Sequence, residues 1–89
     1  MSVRSDGMAC TTSPKLLDTF QGEAVSVVLS TASATVYLGG STTLTAGDGL
    51  VVIAPAAAPF APVNLGVITG PLYVLGAAGG EAVSFIATK

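Results

Sequence analysis

From Gly22 onward the chain is written in short alternating runs. In Gly22–Ser30, Val25, Val27 and Leu29 fall on one face and Ala24, Ser26, Val28 and Ser30 on the other, which is the two-residue period of a strand. Thr35–Leu38 is a second short run, ended by Gly39 and Gly40, and Thr42–Thr45 fits a third. The Asp48-Gly49 pair is a turn signal before a fourth, more uniformly apolar run, Leu50–Ala54. The segment from Pro55 to Pro62 holds three prolines, each without an amide donor, so it is expected as a loop or edge rather than a central strand. Val63–Thr69, a break at Gly70-Pro71, Leu72–Leu75, a glycine-rich turn over 76–80 and Ala82–Thr88 complete the pattern. Strands at a spacing of roughly 8–12 residues are the signature of a sandwich or barrel. The expectation is an all-β domain over 22–89, a small β-sandwich or barrel of six to seven short antiparallel strands.

Residues 1–21 read differently. They carry two of the three basic residues, the single cysteine, both methionines and Pro14, with no sustained period. This pattern predicts an extended N-terminal arm that orders as it docks on a partner, with Arg4 and Lys15 as its cations and Leu16, Leu17 and Phe20 as its apolar anchors. The first ten residues contain no continuous apolar stretch of the signal-peptide kind. The longest apolar run, Leu50 to Val63, is interrupted by three prolines and falls short of the ~20 residues a membrane helix needs, so no membrane partner is expected.

One pentapeptide occurs twice. Gly22-Glu-Ala-Val-Ser26 returns as Gly80-Glu-Ala-Val-Ser84, and Val36–Gly40 has a cousin in Leu72–Gly76. The order of the pieces is swapped between the two halves, so a tandem duplication with a fixed period does not fit. Two strand starts, each following a turn and drawn from a narrow alphabet, account for the echo.

Composition narrows the function. Hydrophobic residues make up 51 % of the 89, while only 9 % are charged, against about 25 % in an ordinary soluble domain. A domain of this size leaves roughly 40 % of its chain surface exposed. That surface must therefore be mostly Ser, Thr, Gly and Ala with some larger apolar groups, which defends poorly against association. A subunit largely covered by partners fits this better than a Ser/Thr-coated free domain. Histidine is absent and cysteine occurs once, which removes histidine triads, histidine metal sites, cysteine clusters and internal disulfides; no cofactor is expected. Three basic residues are too few to hold nucleic acid through its phosphates.

The remaining chemical candidates are thin. Glu23 and Glu81 would approach each other if the first and last strands paired, and a carboxylate pair can do acid–base work. Each follows a glycine, however, and the simpler expectation is a turn glutamate pointing into water. Asp48 between two glycines is one carboxylate where a calcium loop needs several. Cys10 has no histidine to activate it. Gly39-Gly40-Ser41-Thr42 lacks the lysine and the helix of a phosphate loop. Tyr37 and Tyr73 lack the neighbouring cations of a base-stacking surface. No catalytic or metal residue is assigned, and the chain is not expected to be an enzyme.

Ala34–Thr42, with its Val-Tyr-Leu-Gly-Gly core, followed by Gly47–Val51, Leu72–Leu75 and Ala82–Ala87, resembles small β-structured virion proteins of tailed bacteriophages. The resemblance covers about 22–89 and departs from the pattern in the proline segment 55–62, which leaves the register of the middle strands open. It implies a non-enzymatic structural role on the outer capsid surface: a decoration (cement) protein that binds the major capsid protein across capsomer joints, self-associating as a homotrimer. On that reading the arm lies on a neighbouring shell subunit, and Pro55, Pro59, Phe60 and Pro62 form an oligomer or shell contact. The alternative is a tail or fibre module that recognises a receptor or glycan.

Overall fold

The inward face of the chain changes parity at Gly22. Before it, Asp18 and Phe20 point inward; after it, Glu23, Val25, Val27 and Leu29 do. Gly22 sits at φ +70°, in the region that side chains avoid, and the extra residue is a β-bulge that shifts the register between Gln21 and Glu23. The computed structural model, which describes residues 2–47 and 49–89, thus carries one long strand, β2 (Lys15–Leu29), through the position where the alternation breaks. Its partner β5 (Val63–Gly76) has the matching irregularity at Gly66, φ +76°, opposite Val25.

The other strands are β1 (Val3–Ala9), β3 (Thr35–Gly39), β4 (Leu50–Ile53) and β6 (Ala82–Thr88). All six lie in one antiparallel sheet, in the order β1-β6-β2-β5-β3-β4. The chain is all-β, as its pattern predicts. β6 pairs only with the C-terminal half of β2, Ala24–Leu29, and β3 only with the C-terminal end of β5. The long β2–β5 ribbon therefore belongs to two layers, bending at its bulges.

The core requires this folding-over. Val83, Phe85 and Ala87 of β6 share one buried cluster with Val36 and Leu38 of β3 and Val52 of β4. In a flat sheet β6 and β4 would lie about 19 Å apart at ~4.8 Å per strand, too far for shared packing. Inward pairs are matched across the ladders: Val25 with Ala87, Val27 with Phe85, Leu29 with Val83, Val36 with Val52.

Three expectations need correction. Residues 1–21 are not a separate arm: Val3–Ala9 is a sheet strand paired along its length with β6, and 15–21 begin β2. The alternation of β1 was hidden because its inward positions are Arg4, Asp6 and Met8, opposite the inward residues Ala87, Phe85 and Val83. Thr42–Thr45 is not a strand. Ser41 takes its backbone elsewhere, bonding Thr43 through Oγ (2.6 Å to Thr43 Oγ1) and Leu44 N through its carbonyl (3.3 Å). Finally, Gly70-Pro71 does not break β5. Pro71 lies beyond the last β3 pair, Gly39 with Tyr73, so only its β2 flank is laddered there. The proline segment 55–62 is a loop, as expected, and the Asp48 turn lies outside the described residues.

Candidate functional site

Two buried glutamates dominate the polar chemistry of the fold, and they come from the repeated pentapeptide. In both copies the glycine has positive φ (Gly22 +70°, Gly80 +85°), the glutamate turns inward, the alanine is exposed and the valine is buried. In both, the carboxylate accepts an amide from just upstream: Gln21 N to Glu23 Oε1 at 3.0 Å, Ala78 N to Glu81 Oε2 at 2.8 Å. The repeat is a local structural device. The expectation that both point into water is wrong, since Glu23 and Glu81 are 8 % and 3 % exposed. Nor do they meet. β2 and β6 pair antiparallel from Ala24 opposite Thr88 to Leu29 opposite Val83, which puts the glutamates at opposite ends of the ladder.

Glu23 is neutralised by Arg4. Ala87, between them on β6, is small enough for the guanidinium to reach across it. Arg4 Nε donates to Glu23 Oε2 at 2.7 Å and Nη2 to Glu23 Oε1 at 3.0 Å, a bidentate pair. Nη1 donates to Asp18, and Nη2 also reaches the Thr19 carbonyl at 3.0 Å. The guanidinium lies over the Phe20 and Phe85 rings, 5.1 and 5.6 Å from their centroids, and the two rings meet edge to face at 5.2 Å. Hydrogen bonds from Arg4, and then the Gln21 amide, hold the Glu23 carboxyl down to about 2. The same bonds, Glu23's first and then Asp18's, hold Arg4 above its already high value. With its donors directed at Glu23, Asp18 and Thr19, this cluster fastens β1 to β2 and leaves no activated nucleophile or base.

Among the described residues no cation pairs with Glu81. Its Oε1 is buried without a hydrogen-bond partner, packed where Gly76 lacks a side chain and beside Cys10. Cys10 is 2 % exposed and locked by its backbone to Glu81 O (2.7 Å) and Gly80 N (2.8 Å). Burial first, and the Glu81 charge second, push its thiol up to about 11, so it is an inert thiol at neutral pH.

Of the five residues expected on the arm, Phe20 is wholly buried, Leu17 packs on the core and Arg4 is held in the cluster; Lys15 and Leu16 alone stay at the surface as free contact groups. Pro55, Pro59 and Pro62 are exposed, and Phe60 is half-buried against the core. The three prolines border an apolar cleft of about 210 Å³ shared with Leu29, Val52 and Val63. Beside it, Leu50, Val51 and Ile53 of β4 are exposed. The outer face of the other layer is uncharged across four strands: the rows Val3–Thr88–Ala24–Val67 and Ser5–Ile86–Ser26–Asn64 run from β1 to β5. Sequence reasoning missed the Arg4 cluster, because its members lie 14 and 19 residues apart with no local signal. The duplicated Gly-Glu was the one visible trace of the buried carboxylates.

No protein-family model, curated protein or solved structure matches this chain.

Proposed function

We propose that the chain is a non-enzymatic structural subunit of a tailed-bacteriophage virion, a decoration protein that binds the major capsid protein on the outer shell. One observation carries the reading: the exposed surface is poor in charge and carries several large apolar side chains. Val3, Leu50, Val51, Ile53, Val67 and Ile86 are all more than two-fifths exposed, and between Ala24 and Gly80 the sequence holds a single charged residue, Asp48. Such a surface suits burial against a large, repetitive partner better than free solution. Pro55, Pro59, Phe60 and Pro62 supply the shell-facing contact in this reading. The Val-Tyr-Leu-Gly-Gly strand and its companions supply the link to phage virions, by resemblance.

The test is co-sedimentation of the purified chain with empty shells assembled from the major capsid protein of the virus that encodes it. Saturable binding, with a rise in the temperature at which the shells break up, is the expected result. No binding to shells, together with retention on a glycan array, would replace decoration by receptor recognition.

A further inference from the structure

The two edges of the sheet differ in how they meet solvent. On β1 the positions facing inward include Arg4 and Asp6, charges of the kind that discourage a second strand from adding. β4 has no such guard. Its four residues are Leu50, Val51, Val52 and Ile53. Leu50 stands on the core face, opposite Leu38 and two residues from Val52, which are 3 % and 6 % exposed, yet Leu50 itself is 47 % exposed. The core therefore runs out one strand short at this edge. The described part of this chain supplies no further strand to complete it, since β4 has β3 as its only neighbour.

We infer that β4 of a second copy completes it, laid antiparallel about a twofold axis through Val51. What the edge requires is a short uncharged strand with apolar residues on alternate positions, and β4 is itself such a strand. Pairing about Val51 sets Val51 against Val51 of the second copy, and Leu50 against its Val52, so the half-open leucine is covered on the core face. A one-residue slip of the register, setting Val51 against Val52, would put core-face residues against outward ones. The ladder is short by construction: Gly49, at φ +71°, has its Cα packed against the Leu38 carbonyl at one end, and Pro55 follows at the other. None of the four β4 residues is charged, so the paired strands themselves set no like charges against each other. This is an isologous pair, in place of the threefold ring that the virion resemblance implies. It is independent of shell binding, so either reading can fail while the other stands.

The register makes the test specific. Facing residues of an antiparallel pair have Cα atoms about 4.5–5.5 Å apart, within the ~4.4–6.8 Å span of a disulfide. V51C should therefore cross-link to itself under mild oxidation and run as a covalent dimer on a non-reducing gel. I53C places its thiols about 14 Å apart, at ~3.4 Å per residue along the strands, and should stay monomeric. V67C, at an exposed position on β5, is the control for random collision, and the native Cys10 is buried. In light scattering the unmodified chain should show twice 8.7 kDa, and V51K, folded by circular dichroism, half of that. The inference is overturned if V51C cross-links no faster than V67C, if I53C cross-links equally well, or if the unmodified chain is a monomer or a trimer at high micromolar concentration.

Discussion

Phe20 separates the two ways of reading the N-terminal quarter of the chain. As the anchor of a docking arm it could be removed without harm to the domain. In the structure it is wholly inaccessible, edge to face with Phe85 and under the Arg4 guanidinium. Phe20→Ala would open a large cavity, and such core truncations cost about 3–5 kcal/mol. The upper half of that range applies, because the residue opposite on β5 is Gly70, which has no side chain to move into the space. Loss of the edge-to-face contact is part of the same figure, at about 0.5–1.5 kcal/mol. An 89-residue domain has a total stability of only about 4–13 kcal/mol, from ~0.05–0.15 per residue. Phe20→Ala should therefore be barely folded or unfolded at 25 °C, with any residual transition at least about 15 °C lower, at ~4–8 °C per kcal/mol. Urea and thermal unfolding followed by far-ultraviolet circular dichroism measure this, since the chain has no tryptophan. Leu16→Ala is the matched control: Leu16 is nearly half exposed and its loss should cost no more than about 0.5 kcal/mol. A Phe20→Ala protein that loses less than about 1 kcal/mol would refute the core placement.

Two further outcomes follow from the buried glutamates. The Glu23 carboxyl, held down to about 2 by Arg4, is charged more readily in the folded chain than in the unfolded one, whose glutamate value is ~4.3. Its stabilising contribution is thus complete above about pH 4.3 and is lost as the pH falls toward 2. Glu23→Gln should lower the urea midpoint at pH 7 and flatten the acid limb, and an unchanged limb would count against the pair. At the other end of the ladder, Gly76→Ala would place a methyl group on Glu81 Oε1 and 3.0 Å from Cys10 Cβ. The carboxylate would have to leave its seat and its bond from Ala78, at a cost of about 1–3 kcal/mol for overpacking. The urea midpoint reads it, and a neutral Gly76→Ala would mean that this corner is loosely packed.

Period-2 alternation made β3, β6 and the second half of β2 legible, because their inward positions are all apolar. It failed where inward positions are not. β1 presents Arg4 and Asp6 inward, and the Arg4 charge makes sense only once Glu23, Asp18 and the Phe20 ring are placed against it. The first half of β2 was lost for a different reason: the bulge at Gly22 reverses parity, so Phe20 appeared out of phase with Val25. Gly70-Pro71 misled in the opposite direction, since turn chemistry can sit inside a strand wherever one flank is unladdered. The repeated Gly-Glu was visible, yet its meaning was not, because a positive-φ glycine that turns the next side chain inward has no signature beyond the pair itself.

The way this chain disposes of its few charges bears on its surface. Arg4, Asp18 and Glu23 are bound to one another, and Glu81 is buried. Among the described residues, only Asp6, Lys15 and Lys89 remain outside the Arg4 cluster with exposed side chains. Four of the eight charged side chains are thus committed within the molecule, and three of them hold one strand in place. A strand edge kept in order by inward charge on β1, and one left apolar on β4, divide the work: the first is closed to addition, and the second carries the contact. The same asymmetry argues against head-to-tail chains of copies, which would require β4 to add onto β1, and favours closed pairs that leave the outer uncharged rows free for a larger partner.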